Sequence, residues 1–361
     1  MKKRPAAIPS SSFRKVASKG VQLLDLGRDL LEAVLVQRPS KRNRSPWVAD
    51  VRLDDGRIAL AHVPALDMGG LCVTGTRLLL KPAVDAKGRL VGSKAVGSYG
   101  TPKCEFILQL VYVSEPENKA IGGCWCAAHP SLGEKLAASL LEEGLIRDLP
   151  KAENVRKEVT GIAGCNMRVD FVLEHANRQA TAIEVKTVLN TDYNPLTPPK
   201  RKECVYFGQT GKSYRRAGIF PWGRVSQVGP EGEPVVSARA IKHIDELTAI
   251  ASGDRKDKEG IKFHPMLLFM VVRPDVVSMR VNDESCPSFA DHARAAHAAG
   301  VRIVAQKITW GKGKDLGKAF WAGPLPIEMS KTSGKRKAGA NVARNVRARR
   351  SSEFEPSLGT N

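Results

Sequence analysis

Between residues 47 and 128, apolar and polar positions alternate in short runs broken by turn signals, the pattern of β-strands with one buried face. Residues 47–53 alternate, Asp55-Gly56 is a tight-turn dipeptide, and residues 57–63 resume the alternation, so this stretch predicts a hairpin. Residues 76–81, 106–113 and 123–127 predict three further strands. Five short strands in so little chain suit a small closed barrel, most commonly a five-stranded OB-like one, with a small sandwich as the alternative.

Beyond residue 130 the period changes to that of a mixed α/β region. Ser131 followed by Glu134 reads as a capping box for a helix through Leu136, Leu140 and Leu141 to Gly144. Residues 168–174 and 180–189 predict two strands joined by a turn near Ala176-Asn177. Ser237 is placed to cap a helix whose Ile241, Ile244, Leu247 and Ile250 form one stripe ending at Gly253. Residues 263–272 form a near-continuous apolar strand of the doubly buried kind. Ser288 opens a helix that stops at Gly300, and residues 301–305 predict a last strand. The Pro-, Gly- and Arg/Lys-rich stretch 190–234 reads as an irregular insertion that could be deleted without unfolding the domain. The expected organisation is a basic extension (1–28), a barrel (29–130), an α/β domain (131–325) and a basic tail (326–361).

Charge adds a partner to this outline. The 361 residues carry 57 Lys and Arg against 37 Asp and Glu, a formal net charge of +20. The whole excess resides in residues 1–24, 197–224 and 331–350, which together contain a single acid, Glu203; the rest of the chain is balanced. Such segments fit a polyanion, DNA or RNA. They are also address-like: the N-terminal one permits an organellar transit peptide and the C-terminal one resembles a nuclear-localisation tail, so the compartment stays open. The longest apolar run, residues 266–272, is far too short to span a bilayer, so no membrane partner is expected. Seven cysteines without a pairing framework point to reduced thiols. The sequence does not fix an oligomeric state.

Candidate chemistry concentrates in two places. Arg168-Val169-Asp170-Phe171 is followed by Glu184-Val185-Lys186, in which Glu184 and Lys186 share one strand face. If the two strands pair, Asp170 approaches Glu184, and two carboxylates offer hard ligands to Mg²⁺ or Mn²⁺, with the Val185 carbonyl as a third. Lys186 could then orient a water or offset charge on a phosphate, the logic of phosphodiester cleavage; the competing reading is an ordinary ion pair at a sheet edge. Lys41, Arg42 and Arg44 precede Trp47, a basic run beside an aromatic that suits phosphates and stacked bases. Cys124-x-Cys126 with His129 falls one ligand short of a structural zinc site and reads as core packing.

Taken in order, Trp47-Val48-Ala49-Asp50-Val51, His62-x-Pro64, residues 156–159 with Glu158, Arg168-Val169-Asp170-Phe171, Ile183-Glu184-Val185-Lys186-Thr187-Val188 and Arg239-x-x-Lys242-His243-x-x-Glu246-Leu247 resemble the sugar fermentation stimulation protein A (SfsA) family across residues 30–310. The resemblance implies an OB-like N-terminal barrel followed by a PD-(D/E)xK domain, a restriction-endonuclease-like mixed sheet flanked by helices. It implies DNA binding with little sequence preference and a nuclease-like site of Asp170, Glu184 and Lys186, with Glu158 as an additional acid. Asp170 and Glu184 would hold the metal, and Arg239, Lys242 and His243 would line the site from the following helix. In the barrel, His62 would join Lys41, Arg42, Arg44 and Trp47 in contacting nucleic acid. Whether such a protein is a DNA binder with a residual site, an active endonuclease on DNA or RNA, or a non-catalytic architectural binder is left open by the motifs.

Overall fold

A computed structural model describes residues 20–65, 68–114, 122–194, 214–255 and 257–329. Of the basic segments 1–24, 197–224 and 331–350, residues 1–19, 197–213 and all of 331–350 lie outside the described residues. In chain order, β1 (Gln22–Asp25) precedes six strands of one sheet: β2 (Leu31–Gln37), β3 (Val48–Leu53), β4 (Ile58–His62), β5 (Arg77–Pro82), β6 (Phe106–Val113) and β7 (Cys124–Ala127). Strand order is β4-β3-β2-β5-β6-β7, and a parallel pairing of β4 with β6 closes five of them, β2 to β6, into an OB-like barrel. Alternate positions fill its interior with small and branched side chains such as Ala49, Ala59, Ala61, Leu78, Leu80 and Leu108, all fully buried. Gly56, at φ +83°, makes the predicted β3–β4 turn. The strand count is corrected in one respect: the barrel uses β2, which residue alternation does not reveal, and β7 is an added strand beside β6.

The second sheet is built from α1 (Ser131–Glu142), β8 (Asn154–Thr160), β9 (Arg168–His175), β10 (Gln179–Val188) and later elements. After β11 (Ala217–Phe220), β12 (Gln227–Val228) and β13 (Pro234–Val235) come α2 (Ala238–Ala251), β14 (Lys262–Val271), β15 (Ser278–Val281), α3 (Pro287–Ala299), β16 (Arg302–Trp310), β17 (Lys318–Leu325) and β18 (Ile327–Glu328). The seven-stranded order is β1-β17-β16-β14-β10-β9-β8, with β10, β14 and β16 parallel in the middle. One face carries α2 and α3, whose Ile244 and Phe289 share a core with the sheet residues Ala182 and Phe269. The other carries α1, and its core continues into the barrel through Leu79, Leu110 and Trp125. No helix of the described residues is long and apolar enough to cross a membrane.

Three local expectations need correction. Pro130 occupies the N-cap of α1 in a helical conformation, so Ser131 lies inside the first turn and its hydroxyl bonds His129 Nδ1 at 2.9 Å instead of capping. Pro287, not Ser288, opens α3, since proline's fixed φ suits the first helical position. Ser237 does cap α2, accepting from Ala240 N at 3.2 Å. The third correction concerns the stretch 190–234, which is not an irregular excursion throughout. β11 pairs with β15, β12 with β13, and Thr191, Asp192, Arg216, Ala217 and Ile219 are buried. Arg273, with 0 % exposure, forks its Nε and Nη2 onto Asp275 at 2.6 and 2.7 Å and donates Nη1 to Leu189 O at 3.0 Å. Arg216 Nη1 adds a bond to the same carboxylate at 2.6 Å, so a buried ion cluster joins this stretch to the main sheet.

Candidate functional site

β9 and β10 pair antiparallel as far as Phe171↔Ile183, and there the backbone ladder stops. The next residue of β9, Asp170, replaces the missing partner with its side chain: Oδ2 accepts from Val185 N at 2.6 Å. The N–H and C=O of one strand residue point to the same side, so the Val185 carbonyl faces the same opening. β10 meanwhile stays fully paired with β14 through Glu184↔Leu267 and Lys186↔Phe269, which makes it a rigid mount.

Glu184 is 2 % exposed. Its Oε1 accepts from Lys186 Nζ and from His243 Nδ1, each at 2.5 Å. Arg239 Nε in turn donates to His243 Nε2 at 3.3 Å, which fixes the imidazole as the Nδ1–H tautomer. Glu184 Oε2 is buried with no hydrogen-bond partner among the described residues. Burial alone would push the Glu184 carboxyl up, but the His243 bond and the Lys186 charge outweigh it and hold it below the usual glutamate range. Asp170 goes the other way, pushed up to about 6 by burial and then by the neighbouring Glu184 charge.

The site therefore joins Asp170, Glu184, Lys186, His243 and Arg239. Lys242 lies beside them, exposed, in a groove of about 790 Å³ that runs along α2 and is also lined by Arg239, His243, Asp245, Glu246 and Arg255. Glu158 does not join: it sits in β8 with φ +54°, more than half exposed, and pairs with Arg168 Nη1 at 2.8 Å. Lys41, Arg42, Arg44 and Trp47 lie on the β2–β3 connection of the barrel, and His62 ends β4. Sequence reasoning missed Glu134, assigned there to a cap. It is exposed on the first turn of α1, and its charge also raises Asp170. That turn lies hard against β10, because a Cβ on Gly133 would come within 1.8 Å of Thr187 Oγ1.

Among the described residues no three carboxylate, imidazole or thiol groups gather into a ready-made metal cluster. Cys124 and Cys126 are buried in the barrel with sulfurs 3.8 Å apart, and burial pushes the Cys126 thiol well up, as expected of core thiols. The donor set at Asp170 and Glu184 nevertheless suits a hard cation, because Mg²⁺ commonly takes one or two carboxylates and completes its shell with water and phosphate oxygens.

The sequence matches the family profile described as "Sugar fermentation stimulation protein RE domain" over residues 131–197 and 235–314, a break that coincides with much of the stretch 190–234. Sugar fermentation stimulation protein homologues from Thioalkalivibrio sulfidiphilus, Brucella anthropi and Geobacter sulfurreducens are each 27 % identical, over 82, 76 and 78 % of this chain and 94, 91 and 90 % of their own. The solved structure of Pyrococcus furiosus SfsA in complex with Ca²⁺ shares the fold, with a TM-score of 0.54 at 17 % identity over 85 % of this chain and 99 % of that one. An OB-like barrel ahead of a mixed sheet, the matched profile and relatives aligned over nearly their full length converge: the chain carries the sugar fermentation stimulation protein RE domain over residues 131–197 and 235–314 and is similar along most of its length to the sugar fermentation stimulation protein A family.

Proposed function

We propose that this protein binds DNA with little sequence preference and carries at Asp170 and Glu184 a Mg²⁺ or Mn²⁺ site for phosphodiester hydrolysis. The observation that carries the reading is the orphaned Glu184 Oε2: a buried carboxylate oxygen without a partner is costly, and a cation relieves it. The raised Asp170 beside it marks two like charges that a bound cation would reconcile. The Pyrococcus relative in complex with Ca²⁺ supports a site for a hard divalent cation in this family.

In this reading Asp170, steadied by Val185 N, and Glu184 Oε2 hold the ion, with the Val185 carbonyl beside them. His243 and Lys186 anchor Glu184 through Oε1 and thereby leave Oε2 directed to its ligand role. The Lys186 ammonium supplies fixed positive charge where a phosphate gains negative charge. Arg239 and Lys242 take backbone phosphates along the α2 groove, contacts that position the substrate without reading its sequence. When bound, the metal supplies a Lewis acid and a water of lowered pKa.

Thermal unfolding with and without Mn²⁺ tests the site. Metal at about 100 times its Kd should stabilise wild type by about 2.7 kcal/mol. Asp170→Ala should abolish that gain, and an Asp170→Ala protein that still gains it refutes the ligand set. With Mn²⁺, cleavage of a mixed DNA and RNA panel should fall by about 10²–10³ in Lys186→Ala. The +20 charge favours a second reading, a purely architectural nucleic-acid binder. Metal stabilisation without any cleavage by wild type would favour it.

A further inference from the structure

The connection between β5 and β6 is an ordered projection. It folds into two small hairpins, bridged at Val84↔Leu90 and Val96↔Pro102 and tied by N–H bonds from Val91 to Ala83 O and from Lys103 to Ala95 O. Neither of its two acids is available to a ligand. Asp85 accepts from the N–H groups of Lys87 and Arg89 and from the Arg89 guanidinium, and Glu105, at the foot of the projection, is buried and paired with Arg57. Lys87, Lys94 and Lys103 are exposed and make no ion pair among the described residues. At the tip, in the turn closed by Gly100 N on Gly97 O, Tyr99 is 96 % exposed, with Leu90 at 72 % and Val96 at 55 % nearby in the chain.

This projection meets the β2–β3 connection, where Asn43 Nδ2 donates to Pro102 O at 3.2 Å. That second loop, residues 38–47, contains four basic residues and no acid. The Ser40 hydroxyl organises it, accepting from Arg42 N and Asn43 N and donating to the buried Asp50, whose other oxygen takes Lys41 N. Lys41 and Arg44 are exposed, and Trp47 is 38 % exposed. In the OB topology these two connections, between the first and second and between the fourth and fifth barrel strands, flank one ligand-binding face.

We propose that these two loops form a platform for single-stranded nucleic acid, with Tyr99 stacking on an unpaired base and Lys94, Lys103, Lys41 and Arg44 on flanking phosphates. The inference rests on the nucleic-acid reading above and adds the strand form and the residues that select it. A π face stacks on any base, so the platform is sequence-tolerant, but a duplex hides its base faces and offers Tyr99 nothing. The hydrogen-bonded loops hold their shape before binding, which lowers the ordering cost. An apolar protein partner would also cover Tyr99, but a surface of unpaired lysines and no available acid favours a polyanion.

Fluorescence anisotropy in EDTA, with a labelled oligopyrimidine strand and a duplex of the same length, tests this on the full chain. Tyr99→Ala should weaken the single strand about tenfold and leave the duplex unchanged, and Tyr99→Phe should retain wild-type affinity. Lys94→Ser with Lys103→Ser should make the log–log salt slope for the single strand shallower by about 1.4, at about 0.7 for each phosphate no longer neutralised. A Tyr99→Ala protein that binds the single strand as tightly as wild type overturns the platform while leaving the nucleic-acid reading intact. Wild type that binds neither probe overturns both. Tyr99→Ala that changes self-association but not oligonucleotide affinity overturns the platform in favour of a protein interface.

Discussion

The fold holds two buried charge clusters, one midway along β10 and one just beyond the end of β14, and they differ in completeness. Around Asp275, two guanidinium groups occupy both carboxylate oxygens, and the cluster locks the 190–234 stretch to the sheet. Around Glu184, two donors crowd one oxygen and leave the other alone, while Asp170 stands beside it as a second carboxylate. The first arrangement leaves neither oxygen of its carboxylate without a donor and explains structure. The second leaves one buried carboxylate oxygen without a donor beside a second carboxylate, the asymmetry on which the proposed cation site rests.

The largest effect expected from this contrast is on stability. Asp275→Ala leaves Arg273 buried without its partner and should cost about 3–5 kcal/mol in urea unfolding, without altering the stabilisation by Mn²⁺. A loss below about 1 kcal/mol would mean that the cluster is not saturated by Asp275, since uncompensated buried charge cannot be so cheap. The same carboxyl makes an acid-limb prediction. Burial alone would raise it, yet Arg273 and Arg216 hold it far below the usual aspartate range. Its contribution is therefore complete above the unfolded value of about 4 and is lost as the pH falls from there toward the native value. Wild type should lose stability steeply below about pH 4, and Asp275→Asn should flatten that limb.

A middle-sized effect is expected at His243, which orients Glu184 without being a ligand. His243→Ala should weaken Mn²⁺ about tenfold in the thermal-shift midpoint while leaving metal-free stability less affected than Asp275→Ala does. Unchanged metal affinity would detach His243 from the site. The smallest effect is expected at Glu158, whose pairing with Arg168 is exposed. Glu158→Gln should change stability by less than about 0.5 kcal/mol and leave the metal midpoint in place. Loss of the metal response would make Glu158 a third ligand and the Asp170–Glu184 pair incomplete without it.

One side of this contrast, the Asp170–Glu184 pair, was legible in the residues, and the Asp275 cluster was not. Period-two alternation located β3 to β7, and the Asp-x₁₃-Glu-x-Lys spacing placed Asp170 beside Glu184 once β9 and β10 paired. What escaped had no local signal. β2 reads Leu-Glu-Ala-Val-Leu-Val-Gln, helix formers mixed with two valines and no apolar–polar alternation, and its pairing with β3 and β5 makes it a strand. β11 spans four residues in a basic stretch and exists through its pairing with β15. Periodicity puts His243 on the polar side of α2, but that side faces Glu184, so the imidazole is buried. Glu134 resembled a capping residue because the effect of Pro130 on the helix start outweighs the Ser-x-x-Glu pattern.

β1 gives the molecule a timetable. Gln22 is registered against Phe320, so the outermost strand of the large sheet joins nearly the two extremes of the described chain. During synthesis the barrel can close as soon as β6 has emerged, because all its pairings are internal to residues 31–113. The first strand must wait, its Leu23 without a home, until β17 has left the ribosome. A message truncated before that point yields a folded barrel on an open-edged sheet, the kind of species that chaperones and proteases recognise.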